Sequence, residues 1–353
     1  MSRDTQTLEP LPREVSRRYV GSIGVVLLAT VLVATVFATP QLLTPAAEGI
    51  RDAGLVSDLA APVVRSTRVL AAVATVGALV VALLVGGSER ATALKVAAAR
   101  WALVWAGAAA CSILLEISQT SGVSISDVVA GGGSSSASAD QVAGLTAAAW
   151  LAAVISFLAR RVDTSKGVAA TLLLAGAALI APVLTGHSAH AGFSVPALTA
   201  LALHVVAVSC WVGGLMALCA HAGPDTRLDV DVLRRFSALA LVCYAVVGLS
   251  GVANLVARLS LADLVTDGGA YAVLLLLKVS LFVVLGGMGL VHRRRTLDRA
   301  GTGTSSSFWS LAVTETAVMA VALGLAVSLT AAAPSEVTGD EVHAVARIDF
   351  TSA

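Results

Sequence analysis

Nine runs of mostly apolar residues, separated by short polar stretches, divide the chain. They fall at 19–38, 69–87, 98–116, 142–159, 168–185, 198–219, 237–257, 271–291 and 309–332. A helix needs about 20 such residues to cross the hydrocarbon core of a bilayer. A transmembrane β-barrel would show segments of about ten residues with alternating polarity, and these runs do not alternate. The pattern therefore predicts an all-α polytopic membrane bundle of nine transmembrane helices. The first run follows Arg13, Arg17 and Arg18, as the core of a signal peptide would. Its apolar stretch exceeds the roughly 7–15 residues of a signal h-region, so it reads as a retained helix.

Lysine and arginine in alternate loops set the orientation. The N-terminus and the stretches 88–100, 160–167, 220–236 and 292–308 together carry 17. The stretches 39–68, 117–141, 186–197 and 258–270 and the C-terminal tail carry 5. This bias places the N-terminus in the cytoplasm and the C-terminus outside, on the two opposite sides that nine spans require. The chain then divides into a cytoplasmic tail (1–18), a four-helix membrane region (19–160), a five-helix core (168–334) and an extracytoplasmic tail (335–353). The outer segment 46–66, with Arg51, Asp52 and Asp58, reads as a short interfacial helix. The Gly/Ser run from Gly131 to Ser138 reads as a flexible linker.

Composition narrows the classes. Hydrophobic residues make up 57% of the chain and charged residues 13%, where a soluble domain carries about 25% charged. Too little polar surface remains for a water-soluble globule, and too much apolar surface for disorder. Lys and Arg number 23 against 22 Asp and Glu, so no basic footprint for nucleic acid exists. The phosphate-binding pattern G-x4-G-K-[ST] is missing, which disfavours an ATP-driven pump. Cys111, Cys210, Cys219 and Cys243 lie inside apolar runs with no C-x-x-C pair, and read as small buried residues.

Ionisable groups inside spans are costly and mark function by default. Here they are His204, Lys278 and Glu315, accompanied by the neutral Asn254. His204, Asn254 and Lys278 fall at similar outer-leaflet depths on three consecutive helices, and Glu315 lies near the inner end of the last. Trp211, seven residues after His204, shares its helix face, whereas Gly213 lies opposite and with Gly214 forms a packing face. Lys278 either faces the same cavity as His204 or snorkels to the outer interface. Asn254 either serves a pathway or ties helices together, and Glu315 either serves one or pairs with Arg293–Arg295. His187 and His190, spaced H-x-x-H in the preceding outer loop, bring three histidines to one hairpin. Imidazole is the commonest metal-ligand side chain and suits copper, zinc, iron and nickel, among which spacing does not choose. His221 and His292 border cytoplasmic loops, and His343 sits in the acidic tail.

The stretch His204-Val-Val-Ala-Val-Ser-Cys-Trp211-Val-Gly213-Gly214 resembles the H-x6-W-x-G-G signature of the copper resistance protein D (CopD) family. Gly186-His187 precedes it, and Arg235-Phe236-Ser237, Gly248, Gly251, Asn254, Leu277-Lys278, His292–Arg295, Glu315 and Leu329–Pro334 follow in that family's order. The resemblance covers about 168–334. It implies a multi-pass protein of the cytoplasmic membrane that handles copper and moves it inward, with a periplasmic CopC-type copper-binding protein as partner and no enzymatic activity. On that reading His187, His190 and His204 bind copper, as Cu(I) or Cu(II). Trp211, Asn254, Lys278 and Glu315 line the pathway, and Gly213, Gly214, Gly248 and Gly251 pack helices. A membrane copper chaperone or oxidase-assembly factor would use the same ligands. A b-type cytochrome is disfavoured: His204 and His221 share one helix, but no other span supplies two facing histidines for a pair of haems. A reporter fused after Ala353 is expected to be active only outside the cytoplasm, and activity confined to the cytoplasm would reverse the assigned sides.

Overall fold

The computed structural model describes residues 54–131, 139–185, 195–221, 230–258, 270–298, 312 and 314–323. In chain order the helices are α1 (Leu55–Val85), α2 (Glu89–Ser121), the short α3 (Ile125–Val129), α4 (Ala139–Arg161), α5 (Ser165–Thr185), α6 (Val195–His221), α7 (Val230–Arg258) and α8 (Ala270–Asp298). A ninth, α9, runs over Thr314–Leu323. No strand occurs among the described residues. The six helices α1, α2 and α4 to α7 are long and apolar enough to cross a membrane. Two further expected spans hold the shorter apolar stretches Leu276–Val291 and Thr314–Leu323. The first expected span, 19–38, and the outer and cytoplasmic tails lie outside the described residues, as does 132–138 of the Gly/Ser run.

The segment read as an interfacial helix differs in part. From Leu55 onward it belongs to α1, which continues without a break through Pro62 to Val85. Proline removes one N–H and one helical hydrogen bond. Eight residues into an apolar helix, neighbouring helices hold the path regardless. Arg65 and Arg68 therefore stand on the helix and not in a loop. Removing them from the outer loops widens the charge bias.

Local chemistry sets the helix ends. The Ser88 hydroxyl accepts from the Ala91 amide at 3.3 Å and caps α2, with Glu89 in the first turn against the positive end of the helix dipole. Gly122 closes α2 at φ 61°, in the left-handed region that glycine enters without strain. The turn from α4 to α5 is held by Lys95 of α2. Its Nζ donates to the Val162 carbonyl (2.8 Å) and to Asp163 Oδ1 (3.0 Å).

α1 is the most enclosed of the long helices and packs on α2, α5, α6 and α7. The α2–α4 and α4–α5 pairs complete one side, and α6–α7 and α7–α8 the other. The contacts are built on alanine: Ala98, Ala99, Ala102, Ala109, Ala148, Ala152, Ala175 and Ala178 are fully buried. Without a solvent-driven hydrophobic force inside the bilayer, small residues serve because they let backbones approach and dispersion act at short range. Trp105 is the largest side chain the interior encloses. Leu173, Trp150, Leu249, Val252 and Leu276 point outward, as lipid-facing positions do.

The closest approach joins α1 to α6. A Cβ at Gly77 would collide with the Gly213 backbone, and a Cβ at Gly213 would collide with the Val73 carbonyl oxygen. Gly214, beside it, faces the Phe236 ring of α7, with no room for a methyl group. Gly77→Leu is expected to destabilise the purified protein by about 3 kcal/mol or more, the upper range of overpacking. Gly107→Leu, at a helical glycine with nothing within 4 Å, is expected to be neutral. Equal thermal unfolding midpoints for the two variants would contradict the backbone contact.

Candidate functional site

His204 stands three turns into α6, half-buried against α7. Its Nδ1 lies 3.0 Å from Ser250 Oγ. The Ser250 hydroxyl donates to the Val246 carbonyl oxygen of its own helix at 2.6 Å, so its single proton is committed. That arrangement favours donation from the imidazole Nδ1–H to the Ser250 oxygen, the tautomer that would carry its lone pair on Nε2. A histidine held as the Nδ1–H tautomer by a hydroxyl behind it presents Nε2 as a ligand or a base. Gly251 follows on α7, and a Cβ there would sit 4.0 Å from His204 Cε1, so glycine keeps the ring's flank open.

Asn254 is four residues beyond Ser250. Its Nδ2 donates to the Ser250 carbonyl oxygen at 2.9 Å. It is thus turned onto its own helix, where it supports the residue that holds His204. Lys278 of α8 is close enough for its charge to act on the His204 ring. His204 thus meets Ser250 of α7 and lies within electrostatic reach of Lys278 of α8. Sequence reasoning passed over Ser250.

Two turns below His204 the bundle becomes aromatic. Trp211 meets Tyr244 edge to face, with ring centroids 5.5 Å apart. Tyr244 stacks on Phe282 at 4.2 Å and donates weakly to the Phe282 carbonyl oxygen at 3.4 Å. Gly248 and Gly286 make room for this stack. A Cβ at Gly248 would come within 3.1 Å of Phe282 Cζ, and one at Gly286 would collide with the Tyr244 hydroxyl. Trp211, Tyr244 and Phe282 thus lock α6, α7 and α8 together.

A second polar locality lies at the far end of α6. The Cys219 thiol is 3.8 Å from Thr316 Oγ1 of α9, and Thr316 itself donates to the Ala312 carbonyl oxygen at 2.8 Å. Glu315 is only 4% exposed and acts electrostatically on Cys219. A Cβ at Gly289 of α8 would lie 3.9 Å from Glu315 Oε1. His204 and Cys219 are fifteen residues apart on one helix, about 22 Å along its axis. Among the described residues no three His, Cys, Asp or Glu side chains gather to hold a metal ion. His187, His190 and His343 lie outside the described residues.

Six membrane-length helices with ionisable groups held between them define a multi-pass α-helical membrane protein. Residues 230–329 match the family model for copper resistance protein D, so the resemblance to that family is shown over this region. The matched span holds Ser250, Asn254, Lys278 and Glu315, and begins after the helix that carries His204. The chain is also 32% identical, over 162 residues, to the copper transport protein CutJ of Bacillus subtilis (strain 168). That alignment takes in 44% of this chain and 28% of CutJ, so less than a third of the relative is spanned. No solved structure matches the chain.

Ser250→Ala is expected to leave the bundle folded and to free the choice of tautomer at His204. Imidazole ¹⁵N shifts of histidine-labelled protein read this directly. An unchanged Nδ1–H signature in the variant would show that Ser250 does not set the tautomer.

Proposed function

We propose that this protein carries copper across the cytoplasmic membrane, inward, and that His204 is the ligand that receives the ion within the bundle. The observation that carries the reading is the Ser250 hydrogen bond, which holds the His204 imidazole by Nδ1 within the bundle. The match to the copper resistance protein D family over 230–329 and the partial likeness to the copper transport protein CutJ support the same reading. His187 and His190, in the stretch of sequence before α6, supply the other imidazoles of the site. A periplasmic CopC-type protein delivers the ion to them.

In this mechanism each element has a task. The loop histidines capture copper, and His204 draws it below the surface. The positive charge of Lys278 opposes a resting cation beside His204, which keeps the ion from being held too tightly to leave. Trp211, Tyr244 and Phe282 form an apolar constriction that excludes water from the passage. Cys219 and Glu315 offer a soft and an anionic ligand at the inner end. No group on this route calls for covalent chemistry, and the reading is that of a transporter, without enzymatic activity.

Proteoliposomes loaded with a Cu(I)-specific chelator dye provide the test. The wild-type protein is expected to load the dye, and a variant with both His187→Ala and His204→Ala to lose at least about 90% of that rate, as removal of two ligands from one site implies. Wild-type flux in the double variant would remove the histidines from the pathway. Copper bound by the wild type without any flux would assign the protein instead to chaperoning or oxidase assembly.

A further inference from the structure

A second set of charged residues lies in the membrane region, on helices outside the matched span. Arg65 and Arg68, three apart on α1, share one face and look across a cavity of about 30 Å³ at Glu116 and Gln119 of α2 and Gln141 of α4. Ser112 and Glu116 are buried there. Arg65 Nη2 donates to Gln119 Oε1 at 3.1 Å. The Arg68 Nε–H is buried with no hydrogen-bond partner. Arg65 and Glu116 are both near enough for their charges to act on Arg68.

Two guanidinium groups and one carboxylate leave this cavity with one surplus positive charge. Arginine does not shed its proton, so the surplus cannot be removed by titration as it could at a lysine. A buried donor without a partner costs roughly 1–3 kcal/mol, more when it is charged. One acceptor carrying one negative charge removes both penalties. The cavity volume is about that of one or two water molecules. A space of this size fits a single small ion. The lining excludes copper, because a cation would add to the surplus. We propose that the cavity between α1, α2 and α4 binds one small monovalent anion, of the size and charge of chloride. Arg65 and Arg68 are its charged donors, and the ion neutralises the surplus charge of the arginine pair. The site is independent of the copper reading.

The test uses the full chain purified in a non-ionic detergent, with sodium chloride titrated against sodium gluconate at constant ionic strength. The wild-type unfolding midpoint is expected to rise saturably with chloride, and calorimetry to show one site per chain. Arg68→Gln is expected to weaken chloride affinity by at least about tenfold, the loss of one charged hydrogen bond. Arg65→Gln does the same where Arg68→Gln does not fold. Glu116→Gln is expected to tighten binding severalfold, because it removes the one repulsive charge from the cavity. A purely structural role for Glu116 would not do so. Absence of a saturable chloride effect on the wild type, or no tightening in Glu116→Gln, would overturn the proposal. Stabilisation by phosphatidylglycerol vesicles but not by chloride would also overturn it, and would assign the arginines to a lipid headgroup.

Discussion

Backbone meets backbone where Gly77 of α1 crosses Gly213 of α6, and the other helices are placed around that crossing. Neither residue has a side chain to hold the helices apart, so dispersion acts between main chains at the shortest distance available. α1 thereby becomes the post against which α2, α5, α6 and α7 all lean. The same crossing ties the N-terminal helices to the helix that bears His204. On the next residue, Gly214 admits the Phe236 ring and brings in α7. The position of Ser250 behind the imidazole thus depends on two adjacent glycines three turns further along α6.

The polar groups follow a related economy. Buried hydroxyls mostly donate to a carbonyl one turn back on their own helix, as Thr75, Ser112, Ser209 and Thr316 do. This satisfies the proton and leaves the oxygen as an acceptor. At Ser250 the spare lone pairs face His204. At Ser156 the proton is instead given across to the Ala99 carbonyl oxygen of α2, at 2.8 Å, and the bond joins two helices. A generic helical habit of serine thus becomes a tautomer lock in one place and a strut in another.

Much of this architecture was legible in the chain. Apolar runs are a direct record of bilayer thickness, and the runs at 98–116, 142–159, 168–185, 198–219 and 237–257 lie within helices the structure forms. His204 and Lys278 stood out because charge and imidazole are rare in such runs. Arg65, Arg68 and Glu116 did not, because each falls at the edge of an apolar run, where a charge seems to belong to water. Only the unbroken course of α1 through Pro62 brings the arginines into the bundle. Ser250 was hidden for a different reason: serine is common in membrane helices, and nothing local marks which one will meet a ring from another segment. The Asn254 amide bonds to the Ser250 carbonyl oxygen of its own helix, a contact the apolar pattern does not specify. Partners of this kind are set by how helices rotate against one another, which the apolar pattern constrains only to within a face.

The nearness of Lys278 to His204 has a consequence for which ions could rest there. Coulomb repulsion scales with the charge of the arriving ion. While the lysine keeps its proton, a divalent ion meets twice the opposition that a monovalent one does, at the same distance and through the same dielectric. In the copper-carrying role proposed for His204, the ammonium group would therefore disfavour the divalent ion without touching the metal.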